Sequence, residues 1–456
     1  MDNDARELWS YYLYYIGNSG LSGFNFGPSQ FQNLLFLAGY DPTQAPFTAP
    51  CGDNGCVLPY LGRVRDINSI VLMTNGISFA IQAVLLLMIG AWADYGTSRP
   101  NITIFFTILA VAVSFAWLGV EDAAQWRSGV ALYILGLITY QCSLTFWTAA
   151  FPGLARDLPE VKASVAEIIV LAIMVGILKA VKSDESTANN TKAFSILIAF
   201  SGAVWLVCAV PWFLFEKRRP GLNLPPGTSL LTIGFKQTYV AFRECLRLKQ
   251  TFLYLVFYFL MGDVLNTTVT VIGTLQNSVV AYSTLQLTLL LIVGIVAQGL
   301  GIYIFWLVQK RFKISTKAML SFNVFWIIIL TIWGLIGVHT DKFGFKHVWE
   351  IWRFIRLDGL PVVRVQPDDD QRGVAFAAEC ILFFALFSVV GKTSAFIGPF
   401  VSSAIITAAN NNDNMPFAFL FGLGVFSTIS STLLMWTRAA SSARRFIRAE
   451  EKRKGV

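Results

Sequence analysis

Leu253–Asn277 reads LYLVFYFLMGDVLNTTVTVIGTLQN, an apolar run with Asp263 close to its middle. About 20 apolar residues suffice for a helix to cross the hydrocarbon of a bilayer. An ionisable group at mid-depth costs on the order of 2.5–3.5 kcal/mol on insertion scales, so it turns toward a polar interior or a partner. Asn266, Thr267, Thr268 and Thr270 surround it, and Gly262 and Gly273 permit close packing or a local bend. At helical spacing Asp263, Asn266 and Thr270 share one face, leaving Leu265, Val269 and Ile272 for lipid or neighbouring helices. The stretch therefore predicts the wall of a polar cavity inside a membrane bundle. The plainer alternative is a helix–helix contact held by small polar residues.

Composition extends this reading to the whole chain. A hydrophobic fraction of 55%, with 38 Phe among 456 residues and a mean hydropathy of +0.59, belongs to a multi-span, all-α membrane protein. The net charge of +8 does not mark a nucleic-acid partner. Basic residues gather in short segments between apolar spans, where the positive-inside rule puts them. His339 and His347 are the only histidines, and no Cys/His ligand spacing occurs. That argues against a metal centre, a His-based triad or a bound cofactor, and ranks an enzyme below a transporter. The N-terminus MDNDARELW is short and acidic and leads into a tyrosine-rich segment without a cleavage site, so the first span is expected to serve as the insertion signal. Cys51 and Cys56, in CGDNGC, are a candidate disulfide in a non-cytosolic loop.

In chain order, span one is the least apolar (Trp9–Leu37), its tyrosines suiting an interfacial belt while Asn18 and Ser19 fall deeper and need partners. A polar loop, Gly39–Asp66, precedes span two (Ile67–Ala93), where Asn75 and Gln82 lie two helical turns apart on one face. Spans three (Asn101–Gly119), four (Gly129–Phe151), five (Val165–Val181) and six (Ala193–Phe215) follow, five being short for a bilayer. Asn189-Asn190-Thr191, just before span six, is a glycosylation sequon. Residues 1–215 thus form an N-terminal half, 216–250 a basic linker with an amphipathic stretch, 251–437 a C-terminal half and 438–456 a basic tail. The linker, the QKRFKISTK loop and the tail are expected on the cytosolic side, and the loops near Gln276 and Asn410–Asn414 opposite.

Eleven spans are clear, whereas two cytosolic termini require an even number. The gap falls at 352–379, WRFIRLDGLPVVRVQPDDDQRGVAFAAE, which is strongly polar where a helix is needed. Back-translated with permitted codons and read one base later, Leu360–Gly373 yields CPWYAYSQTMISE followed by Val. A frame error there would supply the missing span.

YYLYYIGNSG, FPGLARDLPEV, LAIMVGILKA, FLMGDVLNTTVTVIGTLQNS, FGFKHVWEIW and GKTSAFIGPFVSSAII together resemble the fungal autophagy-related vacuolar amino-acid effluxers, a branch of the major facilitator superfamily. The resemblance covers nearly the whole chain. It implies about 12 helices in two halves of six, cytosolic termini, residence in the vacuole membrane, and export of amino acids released by autophagic breakdown. The family's CPWYxYSQTM-like stretch matches the shifted reading. The superfamily's loop between helices two and three fits at Gly90 and Asp94, but Tyr95 occupies its basic position, so Asp94 is expected to gate or to pair with Arg99.

An amino acid presents an ammonium and a carboxylate. Asp263, with Asn266 and Thr267, is the candidate for the first, and Lys392 for the second or as a partner of Asp263. Asn18, Ser19, Asn75 and Gln82 are the first-half candidates. Asp263 is also a candidate carrier for a coupling proton. Two halves rocking about a midplane site would give alternating access. Competing readings keep the transporter and change the solute, or make the protein a nutrient receptor or scaffold acting through Glu216–Gln250 and the tail.

Overall fold

The computed structural model describes residues 3–18, 26–43, 49–52, 55–94, 97–148, 160–218, 249–314, 316–352, 394–409 and 411–436, with isolated positions between 233 and 246. Its helices are α1 (Asn3–Asn18), α2 (Gly27–Ala38), α3 (Ile67–Asp94), α4 (Arg99–Ala116), α5 (Trp126–Thr148), α6 (Glu160–Val181), α7 (Thr187–Phe215), α8 (Lys249–Val279), α9 (Thr284–Phe312), α10 (Thr316–Ile336), α11 (Ser394–Ala408) and α12 (Pro416–Trp436). Among the described residues, α3, α4, α5, α7, α8 and α9 contain runs long and apolar enough to cross a membrane.

Two expectations about spans change. Span one is two helices, the second opening at Gly27 with Pro28 in its first turn. Proline suits that position because it lacks the N–H that a first turn leaves unpaired anyway. Span five begins earlier than expected: α6 starts at Glu160 and has 22 residues, about 33 Å at 1.5 Å per residue, although its apolar part, Ile169–Val181, is short as expected. Its charged first turn hides the true start from a hydropathy reading.

Two of the α1 tyrosines also leave the expected interfacial belt. Tyr11 and Tyr14 are buried, and Tyr11 stacks on Trp147 with ring centroids 4.4 Å apart. The Tyr14 hydroxyl lies 2.8 Å from Thr107 Oγ1 and 2.6 Å from Ser143 Oγ, which themselves lie 2.9 Å apart. This hydroxyl triangle satisfies the phenol, so its burial carries little polar cost. Gly17 makes the packing possible: a Cβ there would sit 2.6 Å from Cys208 Cβ on α7.

The loop after α2 is more ordered than its polar sequence suggests. Strands β1 (Val57–Tyr60) and β2 (Arg63–Asp66) pair antiparallel around Leu61-Gly62, both at positive φ, as a tight two-residue hairpin requires. Cys51 and Cys56 are disulfide-bonded, and Gly39 packs directly against their sulfurs.

The halves meet along α2–α8, α3–α8 and α6–α9, while α4–α5, α1–α7 and α8–α12 pack within halves. One buried cluster runs across the junction, from Phe31, Leu34 and Phe194 to Leu287 and Leu290.

Candidate functional site

Asp263 is buried where α8 meets α11. Its Oδ1 accepts the Thr267 hydroxyl at 3.2 Å and the Gly398 backbone N–H at 3.0 Å. Both bonds fall on one oxygen; no hydrogen bond to Oδ2 occurs among the described residues. Gly398 is obligatory here, because a Cβ would overlap Thr267 Oγ1 and approach Asp263 Oδ1 to 2.6 Å. One turn back, a Cβ on Gly262 would lie 3.2 Å from Ser394 Oγ. Polar small-residue packing therefore holds this seam.

The expected face of α8 is rolled by one position. Residues i+3 and i+4 lie on either side of i in a helix of 3.6 residues per turn, and the contact with α11 selects the i+4 side. Asp263, Thr267, Thr268 and Thr274 are buried, while Asn266 is exposed along with Val269. Thr270 returns its hydroxyl to the Asn266 carbonyl. The structure brings Thr267 to the carboxylate and leaves Asn266 outside that contact.

In the first half the candidates divide. Asn75 accepts the Tyr133 hydroxyl at 2.6 Å and is thereby spoken for. Gln82 is buried; its amide nitrogen donates to Ser78 Oγ at 3.0 Å, but its Oε1 has no hydrogen-bond partner among the described residues. Asn18 is buried, and neither of its side-chain atoms has a hydrogen-bond partner among the described residues, although its backbone carbonyl accepts the Tyr140 hydroxyl. Buried polar atoms left unpaired cost about 1–3 kcal/mol each, so native proteins keep few of them without a reason. Thr268, Ser402 and Ser427 on the second-half side add unpartnered hydroxyls. Ser19 and Lys392 lie outside the described residues, as do 353–379 of the suspect segment.

The residues expected to gate lie at the linker end. Gly90 is on α3 with open space where a Cβ would be. Asp94 ends that helix, and its side chain lies outside the described residues. Arg99, at the start of α4, pairs with Glu216 after α7 at 3.6 Å. Glu7 on α1 accepts the Lys217 N–H, tying the same end of the first half to itself. The sequon sits in the first turn of α7: Asn189 donates to the Lys182 carbonyl, and Thr191 is buried, its hydroxyl accepting from Asn33.

Sequence reasoning missed the polar ties between the halves. They gather at the end opposite the linker. Ser29 donates to Asn277 Oδ1, Asn277 donates to Gln32 Oε1, and Gln32 donates to the Thr274 carbonyl and to Asn68 Oδ1. Asn68 in turn donates to Asp413 Oδ2 at 2.6 Å. Ser69 bonds to Ser403, and Asn190 bonds to the Tyr282 carbonyl and Thr284. These are ordinary helix-end amides and hydroxyls, with no spacing that would betray pairings more than 200 residues apart, as in Ser29 with Asn277.

Helices joined in two sets and tied at one end are the architecture of a major-facilitator-type helical bundle. Solved structures agree on the fold: the nucleoside transporter NupG superposes with TM-score 0.52 at 13% identity, covering 95% of this chain and 98% of that one. An auto-inhibited POT family peptide transporter gives 0.50 at 13%, covering 96% and 97%. The chain belongs to the family described as vacuole effluxer Atg22 like, whose model matches residues 3–167, 162–362 and 378–444. Autophagy-related protein 22 of Pichia angusta is 21% identical over 423 residues, 78% of this chain and 73% of its own length. That of Kluyveromyces lactis is 23% identical over 411 residues, 81% and 80% respectively. The family match stops at 362 and resumes at 378, inside the segment where a frame error would lie.

Proposed function

We propose that this protein resides in the vacuole membrane and exports amino acids from autophagic breakdown to the cytosol by alternating access. The observation that carries the reading is the asymmetry of the bundle. The halves are hydrogen-bonded along one end, while Asn18 and Gln82 hold unpartnered polar atoms inside it. The tied end takes the lumenal side in this reading, since the basic linker belongs in the cytosol. Asn18 and Gln82 would supply neutral hydrogen bonds to the solute, Asp263 Oδ2 the counter-charge for an ammonium, and Lys392 that for a carboxylate. The family assignment supports vacuolar efflux, and the chemistry of these groups fits a zwitterion better than an uncharged solute.

The test is counterflow in proteoliposomes with labelled leucine, tyrosine and a sugar. Exchange of the two amino acids without the sugar is expected. Exchange of the sugar alone would move the protein to another solute class. No exchange of any solute, with function lost on deleting 216–250, would favour a receptor. Transport and its pH dependence unchanged in Asp263→Asn would remove Asp263 as the proton carrier.

A further inference from the structure

Two carboxylates at the tied end of the halves bond to the same residue, Asn68. Asp66 closes β2 and caps α3, its Oδ1 accepting the Asn68 N–H at 2.7 Å and the Ser69 N–H at 3.4 Å. Asp413 lies in the turn before α12, its Oδ2 taking the Asn68 side-chain N–H. Asn68 thus bridges the pair. The other oxygen of Asp413, Oδ1, is buried and has no hydrogen-bond partner among the described residues. Two like charges tied to one residue, one through its backbone amide and one through its side-chain amide, repel, and a proton on either removes that repulsion.

We propose that Asp66 and Asp413 form a proton-binding latch that holds this end of the bundle shut when the pair carries a proton. The groups facing the pair do not neutralise it. Tyr282, from the turn between α8 and α9, bonds to Ser278 and is held protonated by burial. Lys346, from the segment after α10, draws Asp413 downward, but its ammonium is paired with Asp341 at 2.6 Å. Burial dominates at both acids, pushing Asp66 from 3.8 up to about 6 and Asp413 well above its ordinary value, with Asp66 adding repulsion at Asp413. The sign follows. The closed end binds the proton more tightly than an open end, where each acid is hydrated. Closure is at full strength below the ordinary carboxylate range, weakens as pH rises through it toward the raised values, and stays weak above them.

The lumenal side of the latch rests on the efflux reading; the latch itself needs no solute, so the two fail separately. The experiment is hydrogen–deuterium exchange of the full chain in nanodiscs without substrate, at about pH 4 and about pH 7.5, corrected for intrinsic exchange. Backbone protection of segments 27–38 and 277–287 is expected to be at least about tenfold higher at the lower pH, since each pH unit of preferential protonation is worth a factor of ten. Asp413→Asn should hold high protection at both values. Asp66→Asn, which keeps a capping oxygen, should do the same and decides the matter if the first variant does not fold, with protection of 99–116 as the folding control. Equal protection at both pH values in the unaltered chain, a pH dependence that survives both variants, or a response to sodium at fixed pH in place of protons would overturn the latch.

Discussion

Two buried polar regions, the Asp263 seam of the second half and the Asn18 and Gln82 amides of the first, are treated in opposite ways. In the second half the one described mid-membrane charge, Asp263, is built into a seam, with two donors on one oxygen and a glycine cut to fit against it. In the first half Asn18 and Gln82 carry no formal charge, yet they keep polar atoms unpartnered. A charge is too costly to leave bare, so the fold satisfies most of it first; a neutral amide can be held open at about 1–3 kcal/mol and offered to a ligand. The most conspicuous residue in a sequence is thus not automatically the most available one.

The comparison is sharpened most by sequencing the transcript across the codons for 349–380. CPWYAYSQTM in frame is expected, which would restore a spanning helix to the second half; confirmation of GLPVVRVQPDDDQRG would leave that half one helix short. Next is Gly398→Leu. Its side chain would have to displace Thr267 and Asp263 from the seam, so loss of folded protein on size-exclusion chromatography is expected. Recovery of a folded, monodisperse protein would show the seam to be loose. Asn18→Leu and Gln82→Leu should lower transport at least about tenfold, the equivalent of 1.4 kcal/mol of solute binding, without lowering the melting temperature. A fall in melting temperature with transport intact would make these amides structural and dissolve the contrast between the two regions.

Smaller effects separate the roles of Asp263. Asp263→Ala leaves the Gly398 N–H and the Thr267 hydroxyl without their acceptor and should cost about 1–3 kcal/mol in chemical unfolding, whereas Asp263→Asn retains an oxygen and should cost less. Equal losses would mean that the charge, not the acceptor, holds the seam. The mildest change is Lys346→Gln. Removing a cation that lowers Asp413 should move the loss of closure to higher pH in the exchange experiment, and a shift to lower pH would contradict the sign.

Much of this was legible in the chain. The Leu253–Asn277 stretch marks a spanning helix with a polar edge, and α8 runs Lys249–Val279. The direction of that edge was not, because i+3 and i+4 are equivalent until a neighbour packs on one of them. Tyr11 and Tyr14 read as interfacial from their type, but Trp147, Thr107 and Ser143 from other helices make a buried place for them. The start of α6 was obscured because charges in a first turn lower hydropathy without ending a helix.

Apolar periodicity, charge asymmetry and family motifs sufficed to fix a multi-span helical carrier, since a bilayer imposes span length and backbone satisfaction on every segment separately. Which polar groups pair, which are left open and which end of the bundle is tied were decided only by tertiary structure. Those properties belong to contacts between distant helices: Asn68 with Asp413, Gln32 with Asn277 and Gly398 with Asp263 acquire meaning only when their helices meet.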